Sequence, residues 1–248
     1  KSTKEMIEVF LKTFDPSEPI DLIVSIDNMW GKKMDGFETT EERLEHYGFT
    51  DERIKVKHFP SREDYITYLK NGHVFLSCAR SEGWNLPLIE AMSCGTPSIY
   101  SACSGQMEFA EGKGLPVKIL GEKLVAEASY NHFNNPTGNY YEPDFKDLAR
   151  VMRDAYENYT NHKQRAIEEA KSIHKNFNWD KIAEIGAQTL QDFSTNLKNE
   201  IILDFVNGAK CEIKGPLKQK YLIKFYNNNT EELIWEDTIS NNMWTAPN

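Results

Sequence analysis

Apolar positions along this chain switch between two periods. Met6, Ile7, Val9, Phe10, Leu11 and Phe14 recur at helical spacing, and Asp15-Pro16 ends that run. Residues 19–27 (PIDLIVSID) are almost continuously apolar, the pattern of a strand covered on both faces. Residues 39–48 read as a helix with Thr39 or Thr40 as cap and Gly48 at its end. Residues 53–59 alternate as a strand, 61–72 form a capped helix ending in Asn-Gly, and 73–79 (HVFLSCA) are a second buried strand. A helix over 86–95 with Pro87 in its first turn follows, then a strand at 96–102, a short helix at 105–112 and a strand at 114–120.

Strands and helices thus alternate over 1–120, which predicts a doubly wound, parallel α/β sheet. Such sheets place ligands at the carboxyl ends of their strands, in the loops that enter the next helix. Residues 121–143, rich in Asn, Tyr and Pro, read as a long loop. Helices resume at 145–159, 162–177 and 179–193. From about residue 198 an alternating pattern with an Asn-rich turn at 227–229 predicts a small antiparallel β module. The expected domains are therefore 1–197 and 198–248. Both ends read as cut: the first residue is already in a helical pattern, and the last follow directly on a strand signal.

Composition narrows the function. The 248 residues carry 40 % apolar and 12 % aromatic side chains, a globular composition. A net charge of −9 disfavours a nucleic-acid surface. No apolar run approaches the roughly 20 residues that span a bilayer, so at most a peripheral membrane association is expected. The four cysteines (Cys78, Cys94, Cys103 and Cys211) form no C-x-x-C pair and have no histidine at zinc-ligand spacing, which predicts no metal site and a reducing, cytoplasmic setting.

The chemistry concentrates in residues 81–100, SEGWNLPLIEAMSCGTPSIY. Glu82 and Glu90 are separated by seven residues, and Glu82 follows a buried strand. Gly83 lets backbone approach a ligand. The Trp84-Asn85-Leu86-Pro87 turn feeds a helix whose free N–H groups suit a phosphate or sugar hydroxyl. Carboxylates accept the vicinal hydroxyls of a sugar or ribose. Taken alone, the two glutamates read more readily as a capping acid and a solvated helix face; the Gly-Trp-Asn-Leu-Pro turn before the helix and Gly-Thr-Pro after it turn the reading toward a ligand site. Trp84 either stacks on a sugar or fills a gap between helices. Arg53, Lys55 and Lys57 read as a solvated strand face before a phosphate site, Glu108 as structural before a backbone contact to a phosphate, and Tyr130, Tyr140 and Tyr141 as packing residues or part of a lid.

SEGWNLPLIEAMSCGTPSI resembles the E-G-F-G-L-P-x-x-E-A-M-A-x-G-x-P-V-I signature of retaining GT-B glycosyltransferases of the group 1, GT4-type family. The resemblance covers residues 1 to about 193. KSTKEMIEVF is similar to the family's E-K-G-x-x-x-L-x-x-A-F helix start, and SGQMEF stands where the family has G-G-x-x-E. It implies the C-terminal, Rossmann-like half of a GT-B fold that transfers a hexose from a UDP-, GDP- or ADP-sugar to a glycan or lipid-linked acceptor, with retention and without metal. Polysaccharide biosynthesis is the implied setting. Glu90 would hold the ribose, Glu82 the transferred sugar, the N–H groups of Asn85 and Leu86 the distal phosphate, Phe59 and Pro60 the base, and Lys1 the departing diphosphate. The chain departs from the pattern at Cys78-Ala79, for Pro-Ser, and at Trp84-Asn85, for Phe-Gly. Asn85 adds a side-chain donor, which implies an altered sugar preference. The acceptor-binding N-terminal domain would lie outside the chain, so the fragment alone would be inactive. The alternative is a non-catalytic nucleotide-sugar-binding or scaffold module on the same fold.

Overall fold

The computed structural model describes residues 2–25, 37–125, 131–132, 135–136 and 138–196, and beyond them the strands within 200–245, with side chains through residue 192. The chain divides into two compact units, Lys1–Asn178 and Trp179–Asn248.

In the first unit, helix α1 (Thr3–Thr13) leads to β1 (Leu22–Val24), α2 (Thr40–His46), β2 (Ile54–Val56) and α3 (Arg62–Asn71). Then come β3 (Phe75–Ser77), α4 (Leu86–Ser93), β4 (Ser98–Ser101), α5 (Met107–Ala110) and β5 (Leu115–Val117). β1 pairs with β2, and β3-β4-β5 form a three-stranded sheet; every one of these pairings is parallel. The alternation of elements therefore yields the expected α/β architecture. The helix starts follow the polar signals: Thr39 accepts the Glu42 N–H at 3.1 Å, and Ser61 accepts the Asp64 N–H at 3.1 Å.

β4 is the central strand, and all four of its residues are buried. One core of Phe10, Phe14, Cys78, Ile99, Val117, Leu148, Val151 and Met152 packs α1 directly against helix α6 (Phe145–Glu157) and both against the strands. A second cluster of Leu88, Met92, Tyr100, Phe109 and Ile173 seats α4 against helix α7 (Tyr159–Asn176). Burial of these side chains is the main drive for the parallel pairing, because a parallel sheet is stable only when both faces are covered. Burial also pushes the Cys78 thiol up to about 12, so it stays protonated and acts as a small apolar filler.

Within 121–143, expected as a long loop, described residues form strand instead. β6 (Ile119–Leu124) and β7 (Asn139–Pro143) pair antiparallel, with Glu122 opposite Tyr141 and Lys123 opposite Tyr140. The hairpin was hidden because β6 has no buried face: Leu120 and Leu124 are exposed, so apolar alternation carries no signal. Its base is anchored where β7 meets the end of β3. The Tyr141 N–H donates to the Arg80 carbonyl at 3.0 Å, and the Arg80 guanidinium donates to Glu142 at 3.3 Å and to Glu5 of α1 at 2.8 Å. Tyr140 lies under that guanidinium, 5.5 Å from ring centre, so it packs as a cation–π partner. Tyr130 lies outside the described residues.

In the second unit, helix α8 (Trp179–Asn196) precedes β8 (Glu200–Ile202), β9 (Lys210–Glu212), β10 (Tyr221–Tyr226), β11 (Leu233–Ile239) and β12 (Met243–Thr245). β10 and β11 form the antiparallel pair expected around the Asn-rich segment, and β9 pairs antiparallel with β12. The expectation of a purely antiparallel module is corrected at one place: β8 runs parallel to β10. Alternation reports which residues share a face but not strand direction, so the sequence pattern is blind to this difference.

Arg53 also departs from its reading as part of a solvated face. Its side chain is only 11 % exposed, forms a fork on Asp51 at 3.0 and 2.9 Å, and donates to the carbonyls of Phe14 and Asp15 at 3.1 and 3.0 Å. It thus caps the carboxyl end of α1 while holding the start of β2. Hydrogen bonds from Arg53 hold the Asp51 carboxyl down at about 2, from an ordinary 3.8. A depressed carboxyl stabilises the fold fully above its unfolded value and loses that contribution as pH falls through its folded value. The expected result is a denaturation midpoint that falls as pH drops from about 4 to about 2, with Asp51→Asn less stable at neutral pH and flatter across that window. Urea unfolding at stepped pH measures both.

Candidate functional site

The site lies where β3 and β4 end. The segments after them, 78–85 and 102–106, run side by side at the carboxyl edge of the sheet, where a parallel fold exposes loop backbone. They are stitched together at several levels. The Ser101 hydroxyl donates to the Ala79 carbonyl at 2.5 Å. The Glu82 N–H donates to Ser104 Oγ at 3.1 Å, and the Gly105 N–H returns a bond to the Glu82 carbonyl at 3.2 Å. Gly105 packs so closely on Gly83 that a Cβ at residue 105 would sit 1.8 Å from the Gly83 carbonyl oxygen. Only a glycine permits that approach.

Asn85 caps α4 from a left-handed conformation, φ 63° and ψ 66°. Its Oδ1 accepts the Leu88 N–H at 3.4 Å, and its Nδ2 donates to Ser77 Oγ at 2.9 Å and to Gln106 Oε1 at 2.6 Å. Gln106 is fully buried and donates in turn to the carbonyl and hydroxyl of Ser101. Both Nδ2 protons of Asn85 are thereby committed inside the protein. This corrects the expectation that its side chain is a donor toward a sugar; the amide is a strut between the two loops. Pro87 has no N–H, and Asn85 takes that of Leu88. Among the described residues the N–H groups of Asn85 and Leu86 have no acceptor, and Leu86 is 62 % exposed. That leaves unspent donors at the helix start, groups of the kind an anion or hydroxyl can accept.

The other expected residues divide into two groups. Glu82 and Gly83 lie on the stitched loop itself. Trp84 packs between helices, its ring 5.4 Å from Phe109 and 6.0 Å from Phe177, while 37 % of it remains exposed. Its apolar face therefore supports the loop. Glu90, one turn into α4, has its side chain 19 % exposed and accepts a hydrogen bond from Arg62 at 2.5 Å. Phe59 and exposed Pro60 precede α3, with Phe59 against Tyr65 and Tyr68 at 5.5 and 5.0 Å. The structure thus brings Glu82, Gly83, Asn85 and Leu86 together, and sets Glu90 against the first turns of α3. Lys1 lies outside the described residues.

Several residues escaped the sequence reading. Ser104, Gly105 and the buried Gln106 build the second loop, and Ser104 and Gly105 line a surface depression there with Met107, Glu108 and Glu111. A signal for Gln106 existed: a polar residue opening a short apolar helix, opposite an asparagine where the resembled pattern has glycine. Arg62, Tyr65 and Arg80 offered no signal, because their partners are 28, 25 and 62 residues away in sequence. Among the described residues no group of three His, Cys, Asp or Glu side chains is arranged to hold a metal ion, and no helix is long and apolar enough to cross a membrane.

Comparison with known proteins shows what the chain is similar to. Residues 29–120 match the family model of glycosyl transferases group 1. Two viral proteins are similar in sequence. One, "Putative glycosyltransferase 48" of Sulfolobus islandicus filamentous virus, is 26 % identical over 145 residues, 58 % of this chain and 39 % of the relative. The other, "Putative glycosyltransferase ORF330" of Acidianus filamentous virus 2, is 26 % identical over 95 residues, 38 % of this chain and 24 % of the relative. Among solved structures, Anabaena HepE in complex with UDP and glucose superposes with a TM-score of 0.57 at 17 % identity, over 77 % of this chain and 45 % of that one. Sucrose-phosphate synthase of Thermosynechococcus elongatus gives 0.52 at 21 % identity, over 78 % and 43 %. The α/β fold is therefore that of GT-B glycosyltransferases, and the chain spans less than half the length of the relatives it matches.

Two substitutions test the stitching of the loops. Gly105→Ala should lower stability by about 1–3 kcal/mol, because the methyl group meets backbone that cannot give way. Asn85→Gly keeps a residue suited to the left-handed conformation, so it isolates the loss of the amide strut. It should also cost about 1–3 kcal/mol, since Gln106 is left partly unpaired in a buried setting. Combined with Gln106→Leu, the loss should fall short of the sum of the two single losses, as contacting partners couple. Urea denaturation of the four variants reads all of this.

Proposed function

We propose that this chain is the donor-binding part of a retaining glycosyltransferase that moves a hexose from a nucleoside diphosphate sugar to a glycan or lipid-linked acceptor. The observation that carries the reading is the conjunction at one sheet edge of two carboxylates, a glycine-dependent backbone contact and a helix start with unspent N–H donors. In this reading Glu82 accepts hydroxyls of the transferred sugar and Glu90 those of the ribose. The Asn85 and Leu86 N–H groups meet the distal phosphate, and Phe59 and Pro60 border the base. Departure of the diphosphate builds negative charge on the leaving oxygen, which a helix N-terminus and a cation such as Lys1 stabilise. UDP and glucose bound to HepE support a nucleotide-sugar ligand of this kind. Residues 1–197 act as the donor domain, working at a cleft completed by an acceptor domain, so the chain alone binds donor without transferring it.

Titration of UDP, GDP and ADP and their sugars by calorimetry tests the reading. One series should bind. Glu90→Ala should weaken the free nucleotide and the sugar nucleotide alike, and Glu82→Ala should weaken only the sugar nucleotide, each by about 10-fold or more for a lost charge-assisted hydrogen bond. Absence of binding in all three series, or transfer by the chain alone, overturns it.

A further inference from the structure

Glu90 does not stand alone at its site. It projects from α4, and α3 meets it with two side chains three residues apart, Arg62 and Tyr65, which share one helix face. Arg62 donates to Oε1 of Glu90 at 2.5 Å. Its guanidinium lies over the Tyr65 ring, 5.6 Å from the centroid. Tyr65 is itself fixed edge-on against Phe59 at 5.5 Å. The Tyr65 phenol is raised well above its ordinary range, first by burial and then by the charge and hydrogen bonding of Glu90. The carboxylate is thus held from one side by a planar cation that stacks on an aromatic ring, and the ring is locked by its neighbour.

The accessibilities point the same way. The Glu90 side chain is 19 % exposed and that of Arg62 is 62 % exposed. A solvated pair of this type contributes little to folding stability. Orientation is a different matter. A carboxylate has about four acceptor positions, and the donors from Arg62 and the Tyr65 hydroxyl leave about two of them unspent. Two donors from one helix face, the Arg62 guanidinium and the Tyr65 hydroxyl, together orient the carboxylate, which two adjacent hydroxyls require if both are to be accepted together.

We propose that Arg62, backed by Tyr65, is the positioning residue for Glu90, setting the carboxylate plane so that it accepts the vicinal hydroxyls of a ribose. This inference rests on the ribose role of Glu90 given above. Arg62 acts through Glu90, so its effect falls on the diol and not on the rest of the nucleotide. Lysine at this position keeps the charge but lacks the planar guanidinium that stacks on Tyr65, so it restores little.

The test compares ribo and 2′-deoxy forms of UDP, GDP and ADP, titrated into the whole chain and into the Arg62→Ala, Arg62→Lys, Glu90→Ala and Arg62→Ala/Glu90→Ala variants. The wild-type chain should prefer the ribo form of its nucleotide by roughly 10-fold, the worth of a charge-assisted hydrogen bond. Arg62→Ala should cut that preference to within about 3-fold by weakening the ribo form selectively, and Arg62→Lys should recover little of it. The double variant should match Glu90→Ala alone. If Glu90→Ala erases the preference while Arg62→Ala leaves it intact, or if Arg62→Ala weakens both forms equally, this inference is overturned and the ribose role of Glu90 stands. If the wild-type chain binds with no ribo preference, or Glu90→Ala leaves one unchanged, the role of Glu90 fails and this inference with it.

Discussion

The backbone contact between Gly83 and Gly105 is the constraint on which the site depends. Two loops leave neighbouring parallel strands and must run together for several residues before their helices diverge. A side chain at residue 105 would force them apart, because the atom it meets at 1.8 Å is a carbonyl oxygen of the other loop. With the contact in place, Ser104 and Gly105 can exchange hydrogen bonds with Glu82, and the carboxylate inherits a fixed base. A binding group on loop backbone is only as well placed as the loop, and here the loop is braced by a second one.

The brace continues into the core as polar chemistry. Ser77, Asn85, Ser101 and Gln106 form a buried chain that ties the end of β3, the start of α4 and the end of β4. Buried polar groups are costly when unpaired and rigid when satisfied. Asn85 also carries backbone strain, a left-handed conformation outside glycine, which asparagine tolerates better than most residues. Strain of this kind persists where surrounding contacts determine it, and here four hydrogen-bonding partners do so.

Much of this architecture was legible in the sequence, for physical reasons that differ by element. Parallel strands tend to be continuous apolar runs, so β1 and β3 announced themselves, although only β4 is buried along its whole length. Helix starts use short polar side chains, and Thr39 and Ser61 mark theirs. The E-x7-E stretch fixed where a site should lie. What sequence could not carry was pairing between distant residues. Arg62 on Glu90, Arg80 between Glu5 and Glu142, and the amide bridge from Asn85 to Gln106 are products of the folded chain. The hairpin β6–β7 was lost for the opposite reason: its strands bury too little for a period to appear.

That hairpin has a consequence for how the fold can be varied. Arg80 lies two residues before Glu82, its side chain is 23 % exposed, and its charge is shared between a helix and the hairpin through Glu5 and Glu142. An appendage with little buried surface of its own is therefore wired to the segment that presents Glu82. Trimming it would strand a half-sheltered cation beside that segment. Grafting it onto another scaffold would require moving three charged residues from three separate stretches of chain as one unit.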